Sequence, residues 1–286
     1  MPQFSFLFGT VGSPLSTPKK PGGSVGGIHR IAQLGLSGLE LGWVRSVRVT
    51  ETSCNEISAA GQAQNVALSV HASYYINLNA DDEEWPKSRQ RLMDAAHFGN
   101  LAGATDIIFH PGSYFEKPPD QVLAVAIPRL AGCITDLRAA GNPVTLRPET
   151  MGKSAMLGSL EDTILMSQEI EGIQPCLDFA HLHARTGDGS MNTYSDWSSV
   201  LEFYAKSLGD ESLKRLHIHL SGIAYGPKGE KEHLPLRESD LNLTVILSAL
   251  NDFNCQGRIL CESPILEEDA LICKQAWQEI SQENEG

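Results

Sequence analysis

Eight short apolar runs, each followed by a longer stretch of helical periodicity, constrain this chain more than any other feature. The runs are FSFLFGT (4–10), GLELGW (38–43), ALSVH (67–71), TDIIFH (105–110), PVTLRPE (143–149), QPCLDF (174–179), RLHIHL (215–220) and GRILCE (257–262). They begin roughly 30 to 40 residues apart, the span of one strand-plus-helix unit. The helical segments between them cover 24–34, 51–64, 87–102, 119–139, 159–168, 196–207, 240–252 and 266–281. Strict alternation predicts parallel strands, and eight such units point to a closed α/β barrel, (β/α)₈, rather than an open sheet. Such a barrel takes about 250 residues, so residues 1–286 read as one domain. Gly and Pro clusters at 9–27, 111–119, 185–190 and 226–229 read as loops. Pro128, inside the fourth helix, predicts a kink or a split there.

Charge narrows the function classes. Lys and Arg total 22 against 35 Asp and Glu, a net charge of -13. That balance excludes a non-specific nucleic-acid coat, which carries basic stripes. It leaves room for a local basic groove or for bound cations that face a polyanion. Cys54, Cys133, Cys176, Cys255, Cys261 and Cys273 form no C-x-x-C pair, and most sit in apolar stretches. They read as small buried hydrophobes of a reducing compartment. The N-terminal MPQFSFLFGT lacks the basic start of a signal peptide, and no run approaches a membrane span. The expectation is a soluble cytoplasmic protein, most simply a monomer, with no membrane partner.

Barrel strands are normally apolar to their ends, yet six of these finish on His71, His110, Glu149, Asp178, His219 and Glu262. In a (β/α)₈ barrel the active site lies at the C-terminal ends of the strands. Six metal-binding side chains there converge on one mouth. His181 and His233 lie in the loops that follow the sixth and seventh strands, His181 just past the Asp178 carboxylate. Eight donors exceed the four protein ligands of one tetrahedral zinc, so they predict two or three ions. Zinc suits the His-rich set, with manganese the alternative. A multinuclear centre of this kind suits phosphoryl hydrolysis. His29 and His97 lie in helical patterns away from the strand ends and read as structural. His217 shares a strand face with His219 one layer deeper, and reads as a buried group behind it. His183 has poorer spacing than His181.

In SVHASYYINL (69–78), FHPGSY (109–114), ETMGK (149–153), CLDFAH (176–181), HIHLSG (217–222), KEHL (231–234) and CESP (261–264), the chain resembles the endonuclease IV family. These are apurinic/apyrimidinic endonucleases of the xylose-isomerase-like barrel superfamily, and the resemblance covers nearly the whole chain. It implies three metal ions. His71, His110 and Glu149 hold the first in family terms. Glu149 bridges to a second, shared with Asp178, His219 and Glu262, while His181 and His233 hold the third. It further implies that Glu149 lies closest to the attacking water, and that the substrate is damaged double-stranded DNA, cut 5′ to an abasic site.

Two places depart from the family. Where the family has an Asp two residues before the last His, this chain has Lys231, in Gly-Glu-Lys-Glu-His. Residues two apart in an extended segment face the same way, so Lys231 is expected to point at the third ion. Alternatively a local shift brings Glu230 or Glu232 in, or the ion is weaker. The first loop (9–23) also lacks a His-containing start and offers Lys19 and Lys20 for phosphates instead.

The resemblance aligns Tyr74, followed by Tyr75, with an aromatic wedge that enters DNA at the lesion. Arg45, with Arg48 as its near alternative, stands where the family places a second penetrating residue. Packing over the barrel rim is the competing role for both tyrosines. A sugar isomerase or epimerase of the same barrel is the runner-up reading, and a non-catalytic protein that binds DNA lesions is the third.

Overall fold

The computed structural model describes residues 6–283, so the first two residues of the expected 4–10 strand lie outside it. The parallel strands are β1 (Phe6–Val11), β2 (Gly38–Gly42), β3 (Ala67–His71), β4 (Ala104–Phe109), β5 (Thr145–Pro148), β6 (Cys176–Asp178), β7 (Leu216–Leu220) and β10 (Gly257–Cys261). Their order is β5-β4-β3-β2-β1-β10-β7-β6. The two ends of that order meet through the bridges Leu146↔Ile173 and Glu149↔Cys176, which close the barrel. The expected (β/α)₈ fold is the one observed.

The outer ring is α1 (Gly23–Gln33), α2 (Glu51–Gln64), α3 (Trp85–Leu101), α4 (Pro119–Ala139), α5 (Leu160–Glu169), α7 (Tyr194–Leu208), α8 (Leu243–Asp252) and α9 (Glu267–Glu283). Side-chain caps start several of them: Thr50, Ser159 and Thr193 each close a capping box. Pro128 does not split α4, which runs unbroken through it and buries Val122, Ala126, Leu130, Cys133 and Leu137 on one face. That buried stripe spans both sides of the proline and holds the helix in one piece. All six cysteines are free and buried. Among the described residues no helix is long and apolar enough to cross a membrane.

Two elements escape the strand-helix alternation. The short helix α6 (Phe179–Arg185) begins directly at the end of β6, capped by Asp178, whose side chain accepts from the His181 N–H at 2.7 Å. After β7 the chain forms an antiparallel hairpin, β8 (Gly222–Gly226) and β9 (Gly229–Leu234), which sits apart from the barrel sheet.

The lumen is unusual in content. Barrels of this type fill their interior with branched apolar residues. Here the strand registers pair Glu40 with Ser69 and Ser69 with Asp106, and pair His217 with both Arg258 and Cys176. Near the N-terminal end Asp106 receives Arg147, and Arg258 approaches it at 3.1 Å. Higher up, Glu40 accepts from Ser69 and His217. The top is a ring of histidines and carboxylates.

Candidate metal centre

Glu149 stands at the centre of that ring and is fully buried. One carboxylate oxygen, Oε2, lies 3.3 Å from His71 Nε2 and 3.3 Å from His110 Nε2. The other, Oε1, lies 3.3 Å from His219 Nδ1 and 3.4 Å from His181 Nδ1. His219 Nδ1 is also 3.5 Å from Glu262 Oε2. A single carboxylate therefore faces two sets of imidazoles on opposite sides. The backbone puts it there: Glu149 N donates to Phe109 O, and the Glu149↔Cys176 bridge seats it where the barrel closes.

A separate group forms beside it. His181 Nδ1 donates to Thr150 O at 2.9 Å, and His233 Nδ1 donates to Glu262 O at 3.1 Å. Each ring therefore keeps a proton on Nδ1, and Nε2 is the nitrogen left to take a second proton or a cation. The two Nε2 atoms face one another at 3.2 Å. Two lone pairs at that distance repel unless a proton or a cation lies between them. The separation also fits two nitrogens of one tetrahedral zinc, given Zn–N bonds of roughly 2.0–2.1 Å. Glu230 Oε2 approaches His181 Nε2 at 3.6 Å, and Asp178 Oδ2 lies 3.6 Å from His181 Nδ1.

Electrostatics point the same way. Burial opposes charge on His71, but the close approach and charge of Glu149, helped by Glu262 and Glu40, push it up to about 9. His181 is likewise raised against its burial, chiefly by Asp178 and Glu149, to about 10. Glu262, despite burial, is held down at about 2 by His219 and His233. The pocket demands positive charge. His71 Nε2, Glu149 Oε2 and Asp178 Oδ2 are buried without a hydrogen-bond partner and aim into the same space. The donors group as His71, Glu149, His219 and Glu262 in one set, and Asp178, His181 and His233 in another. This donor chemistry fits divalent cations.

The hairpin overturns one expectation. Lys231 does not point at this pocket. A register shift between Ala224 and Tyr225 pairs Ala224 with Glu232 and Tyr225 with Glu230, so Lys231 is the residue left over. Such a bulge breaks the every-second-residue rule. Lys231 is exposed, and its ammonium lies over Gly226. Glu230 turns inward in its place. Gly152 clears the space, since a Cβ there would stand 2.7 Å from Glu230 Cβ and 3.0 Å from His181 Cδ2. Glu230 N donates to Gly152 O and pins the hairpin across the mouth.

The tyrosines divide. Tyr74 is 48% exposed, but its ring stacks on His110 at 5.0 Å and meets His71 edge-on at 5.4 Å. It lies down on the metal-facing histidines as a wall. Tyr75 is 62% exposed and stands free on the rim, with the Arg91 guanidinium 5.8 Å from its ring centre. Tyr74 N donates to Val44 O and Ser73 Oγ to Arg45 O, which ties this loop to the one that carries the exposed Arg45 and Arg48. Lys19 and Lys20 are exposed on the neighbouring loop.

The remaining histidines lie elsewhere. His29 is half-buried on α1 and His97 exposed on α3. His183 is spent on Met191 O and Asp240. Sequence reasoning missed three functional supports. Glu40 was legible as a lone charge in the middle of an apolar strand. Arg185, which donates to Met151 O, Lys153 O and Met156 O, left no such signal. Nor did the hairpin, which a Gly-Pro-Lys-Gly turn only hints at.

A histidine and carboxylate ring at the C-terminal mouth of a (β/α)₈ barrel defines the class, and the chain belongs to the xylose isomerase-like TIM barrel family, whose description matches residues 28–279. It is 35% identical over 279 residues to an uncharacterized protein of Methanocaldococcus jannaschii, across 97% of this chain and 99% of that one. To a Thermus thermophilus protein named endonuclease 4 it is 27% identical over 228 residues, 77% of this chain and 76% of the relative. A crystal structure of endonuclease IV from Thermus thermophilus superposes with a TM-score of 0.70 at 21% identity, covering 96% and 99% of the two chains. A D-tagatose 3-epimerase-like protein does so at 0.71 and 17% identity, covering 92% and 98%. At these identities the structural likeness shows the shared fold, and fold alone does not choose between a nuclease and an epimerase.

Proposed function

We propose that this protein is a zinc-dependent endonuclease that hydrolyses the DNA phosphodiester 5′ to an abasic site. The observation that carries this reading is the pair of Nε2 atoms on His181 and His233, set beside a Glu149 centre that already has a full ligand set of its own. A sugar isomerase or epimerase generally needs one or two ions, whereas the eight convergent donors, joined by Glu230, suffice for three. The sequence relatives named endonuclease 4 support the same choice.

In this reading His71, His110 and Glu149 hold one ion, Glu149, Asp178, His219 and Glu262 a second, and His181, His233 and Glu230 a third. Bound ions of this kind supply a nucleophile at neutral pH and charge to stabilise the phosphoryl oxygens. The protein's own groups do the rest. Glu149 belongs to the first two sets and would orient the attacking water there. Arg45, Lys19 and Lys20 offer cations to the flanking phosphates from adjoining loops. The walls formed by Tyr74 and by the β8–β9 hairpin exclude bulk water from the ring.

The test uses zinc-loaded protein and a duplex carrying a stable tetrahydrofuran abasic analogue. The expected result is a single cut on the 5′ side, leaving a 3′-hydroxyl, with Glu149→Gln slower by at least about a hundredfold. A protein that binds zinc yet leaves this duplex intact overturns the reading. Conversion of a ketohexose by the same preparation establishes the epimerase instead.

A further inference from the structure

We infer that Glu40 is a positioning residue for the metal centre: from the far side of the lumen it fixes which nitrogen of His219 meets the cation. This rests on the reading above only in that the ring holds cations. Glu40 lies on β2 and His219 on β7, and the sheet order places β1 and β10 between them. The carboxylate therefore reaches through the barrel interior, and it is fully buried there. Its Oε2 accepts from Ser69 Oγ at 2.7 Å and from His217 Nε2 at 2.9 Å. Its Oε1 lies 3.0 Å from His219 Nε2, an ion-pair approach outside hydrogen-bond geometry, and neither atom has any other hydrogen-bond partner. The opposite nitrogen of that ring, Nδ1, is the one that faces Glu149 and Glu262.

An imidazole has one proton and one lone pair to distribute when neutral. The charge of a carboxylate 3.0 Å from Nε2 favours the proton on that nitrogen and so leaves the Nδ1 lone pair facing the ring centre. It also makes that lone pair a better donor. The desolvation cost of a buried carboxylate has no return in packing, because a Leu or Met fills the same space without it. Ser69 and His217 are the second part of the device. They occupy the other oxygen, so Glu40 cannot rotate away from His219. His217 acquires its role here, as a brace for Glu40 and not as a ligand.

The test is zinc binding by the full-length protein, measured by competition with a chromophoric chelator, with zinc alone as the probe. Glu40→Gln keeps the shape and removes the charge. The expected result is one zinc weakened by about 10- to 100-fold, the other zinc affinities unchanged, and a metal-free unfolding midpoint close to wild type. Wild-type affinity for every zinc in the variant overturns the proposal. So does an equal loss across all zincs together with a lowered metal-free midpoint, which marks a residue of the packed core. A measurement on wild type needs no variant: imidazole ¹⁵N shifts of the zinc-loaded protein should show His219 metallated at Nδ1 and protonated at Nε2. Metallation through Nε2 overturns the proposal. A wild type that takes up no zinc overturns both this and the proposed function. Zinc uptake with the expected Glu40 effect, but an intact abasic duplex, overturns the nuclease reading and leaves Glu40 standing.

Discussion

At the scale of single residues, the ring behaves as a store of negative charge that a proton or a metal must neutralise. His71 and His181 have folded-state values of about 9 and about 10, against an unfolded value near 6.5. A raised value means that their pairing stabilises the metal-free fold fully below about pH 6.5 and that this contribution fades as pH rises through 9 to 10. A cation takes the protons' place. The unfolding midpoint of the metal-free protein should therefore fall between about pH 7 and 10, while that of the zinc-loaded protein holds. Parallel decline of both would show that no cation occupies the ring. The two tyrosines separate at this scale as well. Tyr75→Ala should weaken binding to an abasic duplex by about 1–3 kcal/mol and leave metal content alone, because its ring touches no metal-facing histidine. Tyr74→Ala removes the stack on His110 and should impair duplex and single-stranded abasic substrates alike. Loss confined to the duplex for Tyr74 would restore it as the wedge.

At the scale of elements, the hairpin decides the third donor set. A strand without a bulge keeps a two-residue period, and under that rule Lys231 accompanies His233 into the pocket. The shift at Ala224/Tyr225 moves the inward position to Glu230, exchanging a cation for a carboxylate with no change in sequence. Glu230→Gln should lower zinc content toward two ions per chain, while Lys231→Ala and Lys231→Asp should leave it unchanged. Elemental analysis of the three purified variants reads this out, and a gain of zinc in Lys231→Asp would place residue 231 back in the pocket. The helix α6 works in the same way: Asp178 caps it, and the first turn carries His181 round to face His233.

At the scale of the whole molecule, the polar lumen replaces part of an apolar core with charge. Asp106 is held well below the usual carboxylate range by Arg147 and Arg258, against the effect of its burial. Asp106→Asn would leave the buried Arg147 and the partly buried Arg258 without their counter-charge. A loss of about 3–5 kcal/mol is expected, measured by denaturant unfolding of the metal-free protein. A loss below about 1 kcal/mol, the value of an exposed pair, would show that water reaches this end of the barrel.

What the sequence determined by itself was whatever depends on local periodicity. Eight strand runs, eight helices between them and polar residues at the strand ends were enough for the barrel and for seven convergent side chains: His71, His110, Glu149, Asp178, His181, His219 and Glu262. Each lies on a barrel strand or within one turn of its end, so the strand's direction fixes where it goes. Tertiary structure decided what no local pattern carries. Glu40 reads as an isolated charge in GLELG until β2 and β7 face each other across the lumen. Lys231 and Glu230 exchange places through a bulge in a hairpin whose Glu230 is held on Gly152, far earlier in the chain. Tyr74 turns down onto His110 because two loops from different strands are stitched together at Val44 and Arg45. In each case the deciding contact joins residues far apart in the chain, and its energy exists only once the barrel has closed.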